Sequence, residues 1–274
     1  VLASAQSVLE RVQAIQQVDM EQGPMPGKPQ LDVAVATLAK RFDATFGGFG
    51  TAPKFPSPHN LLFLLQYTRN IGDERALDMA LKTLRSMRRG GIFDHVGFGF
   101  HHYSTDRVWL LPHFEKMLYD QAMLLTAYAE AFAITGESLF EQVCHEIFAY
   151  MQRDLASDEK AFYCAEDADS EGEEGLFYLF GLDEIRQVLG AKADLATTLY
   201  GLRPGGNYRD EATGDTNGLN ILHLPESLEE AARAQGMSPH SLMDSIEEMR
   251  RALYSAREKR VRPLLDDKIL TDWN

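Results

Sequence analysis

Segments with helical spacing of apolar residues alternate along this chain with Gly-rich aromatic loops, and that alternation restricts the fold more than any other feature. Helices are predicted over Leu31 to Phe46, Pro58 to Arg69, Glu74 to Arg89, 113 to 135, 137 to 155, Leu182 to Leu189, Leu195 to Tyr200, 226 to 235 and 239 to 260. Between them lie Gly47 to Pro56, the loop from 91 to 111, and an aromatic stretch from Phe162 to Phe180. Helical pairs joined by loops of one type stack so that the loops meet at one end, the arrangement of an α/α toroid. The prediction is a mainly α fold with two short β-hairpins, at about 100 to 104 with 106 to 110 and about 161 to 165 with 175 to 180.

Most of the candidate chemistry falls between Gly90 and Gln121, which holds four of the eight histidines, at His95, His101, His102 and His113. Glycines at 90, 91, 97 and 99 read as a shaped loop. Pro112 is expected to open a helix, and at about 100° per residue His113, Lys116 and Asp120 flank one stripe of it. A core-facing helix carrying His, Lys and Asp beside such a loop is how a pocket is commonly walled. The plainer reading makes Lys116 and Asp120 an i,i+4 pair and His113 a helix-start residue. Asp94, Tyr103 and Trp109 of the same stretch are expected to contact a ligand.

The acidic loop from Glu166 to Glu174 has Asp167, Asp169, Glu171 and Gly172 at positions 1, 3, 5 and 6 of a calcium loop, but Tyr178 stands where the bidentate Glu belongs. A calcium site is therefore not expected. Paired carboxylates also serve acid and base chemistry on glycosidic or hemiacetal carbons, which makes Glu166, Asp167 and Asp169 candidates. Lys54 in Ala-Pro-Lys-Phe-Pro is a candidate positioned cation. Asp267, Lys268 and Trp273 near the C-terminus set charge beside an aromatic face, as a sugar cleft requires. Cys144 and Cys164 lack metal-ligand or redox spacing, and neither metal nor cofactor is expected.

Net charge bears on partners: 41 acidic against 27 basic residues give −14, so a nucleic acid would be repelled. No apolar run approaches the roughly 20 residues that span a bilayer. No membrane partner is expected, and a reducing cytoplasm is the expected location.

Four motifs, GGFGTAPKFPSPHNLLFLL, GGIFDHVGFGFHHYSTDRVWLLPHFEKMLYDQA, FYCAEDADSEGEEGLFY and DDKILTDWN, resemble the YyaL family, which includes the spermatogenesis-associated thioredoxin-like proteins. The resemblance implies a thioredoxin-like domain followed by a six-hairpin (α/α) toroid similar to N-acylglucosamine 2-epimerase and glycosidase toroids. On that pattern residues 1–28 are a helix and linker after the redox-like domain, and 29–274 part of the toroid. Apolar helix faces left uncovered would then favour self-association. Three positions depart from the family pattern: His102 where Arg is usual, Phe98 where Gly is usual, and Cys164 where Ser is usual.

The expected function is carbohydrate chemistry by acid and base groups: epimerisation, isomerisation or hydrolysis. His101 and His113 would exchange protons, Glu166 with Asp167 or Asp169 would act as acid and base, and Lys116 and Lys268 would stabilise oxyanions. Trp109 or Trp273 would stack on a sugar ring. Lys116, Asp120, His101, His113 and Glu166 are expected to share one cavity. Two other readings stand beside this one: a non-catalytic partner-binding module serving the thioredoxin-like domain, and a metal-dependent hydrolase using His101, His102 and an acid.

Overall fold

The computed structural model describes residues 25–209 and 216–274, together with residues 6, 9, 11 and 214. The expected helix and linker of residues 1–28 lie almost wholly outside the described residues. Two compact units are found, Val1–Ala36 and Thr37–Asn274. Helix α1 is Lys28–Arg41. It ends earlier than expected because the Asp43 carboxylate takes the N–H groups of Thr45 and Phe46, folding a turn there.

The second unit is mainly α. Helix α2 (Pro58–Ile71) starts on a proline, whose missing N–H costs nothing at that position, and stops at Gly72 in the left-handed region. Asp73 then caps α3 (Glu74–Arg89) by accepting from the Ala76 N–H. After the glycine loop come the two-residue strands β1 (Tyr103–Ser104), β2 (Pro112–His113) and β3 (Lys116–Met117), then α4 (Leu118–Thr135) and α5 (Ser138–Tyr150). A π-helical turn, Met151–Leu155, follows α5. Strands β4 (Ala165–Glu166), β5 (Asp169–Ser170), β6 (Glu173–Glu174) and β7 (Phe180–Gly181) precede α6 (Leu182–Leu189) and α7 (Ala193–Leu199). Strand β8 (Leu219–Asn220), α8 (Leu228–Ala234), α9 (Pro239–Arg257) and β9 (Leu265–Asp266) complete the order.

Packing runs pairwise: α2 lies against α3 and α4, α4 against α5, and α9 against α6 and α8. Leu61, Leu64, Leu84, Leu124, Tyr128, Phe140 and Ile147 are fully buried. A second cluster gathers Phe180, Ile185, Tyr200, Leu242, Met249 and Leu253. Each such side chain contributes about 1.5–3 kcal/mol of burial. Val261, Leu264, Ile269 and Leu270 are exposed along the C-terminal stretch. Among the described residues no helix is long and apolar enough to cross a membrane.

Three expectations about the loops are corrected. The first hairpin pairs β1 with β2, Tyr103 opposite His113, rather than 100–104 with 106–110. The Asp106 carboxylate collects the N–H groups of Val108, Leu110 and Leu111, so that stretch curls into a tight loop instead of a strand. The second hairpin does not form: β4 lies between β3 and β9, the stretch after Gly175 closes as a turn with the Tyr178 and Leu179 N–H groups on the Gly175 carbonyl, and β7 pairs with β8. The acidic loop closes on itself as β5 against β6. Finally, Pro112 opens no helix. Residues 112–117 are consumed by strand pairing and α4 begins at Leu118, so His113, Lys116 and Asp120 do not share a helical stripe.

Candidate functional site

The three-stranded sheet β3–β4–β9 puts Lys116 directly opposite Glu166, and both side chains turn into the interior. Lys116 donates from Nζ to Asp94 Oδ2 at 2.9 Å and to the Phe98 carbonyl at 2.8 Å. Arg257 donates to the two oxygens of Asp94 at 2.9 and 2.8 Å, while the Val96 and Gly97 N–H groups complete its shell. Although burial raises the pKa of Asp94, Arg257 and Lys116 outweigh it and hold the carboxyl well below its usual range. Burial pushes Lys116 down, with Asp94 and Glu166 acting against it. Glu166 is pushed up by burial, partly offset by Lys116, and accepts from the Tyr150 hydroxyl at 2.7 Å.

His101 belongs to this interior set. Burial and then the Lys116 charge take its pKa down to about 3, so the ring is neutral at pH 7. Its Nδ1 lies 2.9 Å from the Phe114 carbonyl and therefore carries the proton. Asp94 and His101 line a cavity of about 20 Å³, room for a single water and not for a sugar. This network ties the glycine loop, the sheet and α9 together; its charges are matched because an unmatched one would be costly.

Lys54 and Trp109 are interior too. Lys54 donates to Asp43 and to the Gly47 carbonyl, each at 2.7 Å, beneath the Trp109 ring. Trp109 donates its indole N–H to the Phe46 carbonyl. These two side chains, with Asp94, His101, Lys116 and Glu166, hold the fold and offer no surface to a sugar-sized ligand.

The remaining candidates meet on a half-exposed face. His102, one residue beyond His101 in extended chain, points the other way: its Nδ1 lies 2.7 Å from Asp120 Oδ2. His113 Nδ1 lies 2.7 Å from Glu174 Oε1, which also accepts the Phe114 N–H. Its Nε2 is 3.8 Å from Glu115. Tyr103 stands between the two histidines, stacked on His113 with centroids 5.1 Å apart and edge-on to His102 at 5.5 Å. Phe55 stacks on Tyr103 at 4.8 Å. The Tyr119 hydroxyl is 3.4 Å from His102 Nδ1, and the Tyr119 ring meets Trp273 at 4.8 Å. Burial pushes the Tyr119 phenol up to about 12, so it stays protonated. Burial also raises the pKa of Asp120, with the His102 contact opposing.

Glu115 also borders a cleft of about 430 Å³, whose other polar walls are Asp167, Asp266, Asp267 and Lys268. Lys268 is paired with Asp266 at 2.7 Å. Asp169 sits on β5 opposite Glu174, exposed and outside the cleft lining. The five residues expected in one cavity thus separate into an interior set of His101, Lys116 and Glu166 and two others, His113 and the buried Asp120, whose partners lie on the half-exposed face. His102, Glu115, Tyr119, Phe55 and Glu174 were not singled out for proton transfer or ligand contact from the sequence. The two-residue alternation of extended chain was the available signal, since it must send adjacent His101 and His102 to opposite faces. The same alternation separates the two histidines of the metal reading. Among the described residues no group of three or more His, Cys, Asp or Glu could hold a metal ion.

No protein-family model matches the chain. Human spermatogenesis-associated protein 20 is 40% identical over 278 residues, covering 90% of this chain and 35% of that protein. The mouse protein of that name is 38% identical over the same shares. An uncharacterized protein of Caenorhabditis elegans is 38% identical over 254 residues, 85% of this chain and 35% of its own length. The chain thus spans about a third of the length of these relatives. Among solved structures, cellobiose 2-epimerase from Bacillus thermoamylovorans is similar with a TM-score of 0.46 at 17% identity, over 54% of this chain and 43% of that one. A sugar epimerase from a ruminal bacterium gives 0.45 at 15%, over 86% and 73%.

Proposed function

The chain belongs, over the stretch it spans, to the family of spermatogenesis-associated protein 20, and from its half-exposed face we propose that it transfers protons on a sugar by general acid and base catalysis. The observation that carries this reading is a pair of His–carboxylate dyads, His102–Asp120 and His113–Glu174, set on either side of the Tyr103 ring. At His102 the Asp120 carboxylate fixes the proton on Nδ1 and leaves the Nε2 lone pair for a substrate proton, while His113, with Glu174 at Nδ1 and Glu115 3.8 Å from Nε2, suits the donating role. Two such groups suit the removal of a proton from the carbon beside a sugar carbonyl and its return, the step common to epimerases and isomerases. Hydrolysis would instead call on a carboxylic acid and a carboxylate flanking the bond.

Sugar is the favoured substrate class because of what surrounds the dyads. Phe55 and Trp273 offer ring faces to sugar C–H groups, Tyr103 being held between Phe55 and His113, and Glu115, Asp167 and Asp267 offer acceptors to hydroxyls. The test is exchange in deuterium oxide. The full chain is incubated with a panel of reducing mono- and disaccharides, and deuterium at the carbon beside the carbonyl is followed by NMR. Exchange that vanishes in His102→Gln and His113→Gln, with melting temperature kept, supports the reading. A panel with neither exchange nor binding would overturn it.

A further inference from the structure

A recess between α5 and α9 shares no residue with the dyad face. Its volume is about 60 Å³, with walls that include Phe98, Leu224, Met243 and Ile246, and Arg88 and Tyr200 also line it. Phe98, Gln142 and Glu146 also border an open cleft of about 620 Å³, so the recess is the inner end of a larger concavity.

Tyr200 lines the recess and is 1% exposed; its hydroxyl makes no hydrogen bond to another described residue and is not fully enclosed, so it stays open to the recess. A hydroxyl open to a recess bonds whatever fills the space, so a ligand carbonyl can take the place of water there. Arg88 beside it is only partly committed. Nε and Nη2 donate to the two oxygens of Glu146 at 3.0 Å each, and Nη1 lies 3.3 Å from His95 Nδ1. The His95 ring is neutral, its pKa taken down to about 3 by burial and then by Arg88, and its Nε2 faces the Gly90 carbonyl. Nδ1 is therefore the acceptor, and one N–H on each terminal nitrogen of Arg88 remains unused. The recess thus presents unused donors above apolar walls.

Charge narrows the occupant further. Arg88 is matched by Glu146 and Arg250 by Glu247, so an added carboxylate would bring an unbalanced charge into a desolvated space. A neutral carbonyl would not. Phe98 holds φ at 68°, a conformation that a bulky residue adopts only when its surroundings enforce it, and here the Arg250 guanidinium lies 4.5 Å from its ring. That ring stands where recess and cleft join.

We propose that this recess is a second binding site, taking a small neutral molecule with an apolar body and a carbonyl head that accepts from the Tyr200 hydroxyl and Arg88. The probe is isobutyramide, with isobutyrate as its charged isostere, added to the full chain carrying labelled Met and Ile methyl groups. Isobutyramide is expected to shift the Met243 and Ile246 methyl signals and to bind more tightly than isobutyrate. Tyr200→Phe should weaken it roughly three- to tenfold, the effect of one hydrogen bond. Ile246→Phe, which fills the recess, should remove the Met243 shift even if Tyr200→Phe proves unstable. Shifts absent or confined to other regions, preference for isobutyrate, or equal binding by a folded Tyr200→Phe would each overturn the proposal, leaving water as the occupant.

Discussion

His102 Nδ1 and Asp120 Oδ2 lie 2.7 Å apart across the junction of the glycine loop and α4, with Asp120 almost wholly buried and the histidine ring about a quarter exposed. The carboxylate orients a ring whose other nitrogen is left for chemistry. Replacing Asp120 by Asn keeps the shape but presents a neutral amide, which can bond either ring tautomer. We expect Asp120→Asn to lower sugar proton exchange by about 10²–10⁴-fold, the usual worth of a positioned base. Nitrogen-15 shifts of the His102 ring would show the tautomer change, and wild-type exchange in this variant would remove the dyad from the mechanism.

Lys116 is a structural cation and should behave as one. Lys116→Met leaves Asp94 with Arg257 alone and takes from Glu166 the charge that partly offsets its burial. Removing one partner of a buried ion pair costs about 3–5 kcal/mol. Urea denaturation of the variant should show a loss of that order, and a loss under about 1 kcal/mol would mean the network relaxes or admits water.

Acid should unfold the protein through its buried histidines. His95 and His101 titrate near 3 when folded and near 6.5 when unfolded. Between those values the unfolded chain binds protons that the folded one refuses, so stability falls as pH drops below about 6.5 and stops falling from this cause near 3. Each histidine contributes about 1.4 kcal/mol per pH unit inside that window. His101→Gln should flatten the slope by about that amount between pH 6 and 4, as read from denaturation curves at several pH values. An unchanged slope would mean that His101 is protonated in the fold.

Gly175 has φ of 75°, and a Cβ built there would sit 2.4 Å from the Phe114 ring. Gly175→Ala therefore meets both a left-handed backbone and a collision. We expect a loss of about 2–4 kcal/mol from the sum of backbone strain and overpacking. Because Phe114 adjoins His113, the variant should also perturb the His113 ring signals. A stable variant with unmoved signals would show that the loop yields cheaply.

Much of the helical framework was legible in the residues. Leu61, Leu64 and Leu65, or Leu124, Tyr128 and Ala131, recur at helical spacing, while Asp73 and Gly72 punctuate the turn between α2 and α3. Such signals are local: a turn of helix bonds to itself within four residues, so its period and caps appear in a short window. Aromatic, glycine and charged residues also marked the loops that carry the chemistry, and His113, Asp120, Asp167, Asp267 and Trp273 all reach the half-exposed face or its cleft.

Tertiary structure alone decided which of those residues face a ligand. From Pro112 to Met117 the local pattern reads as a helix start, but Tyr103 and Glu166 supply strand partners at His113 and Lys116, and the second lies 50 residues away in sequence. That pairing turns Lys116 inward onto Asp94 and leaves His113 to Glu174, which no helical projection could foresee. Strands two residues long have almost no period of their own. Their backbone bonds are made with distant segments, and so the direction of each side chain is set only when the helices have brought those segments together.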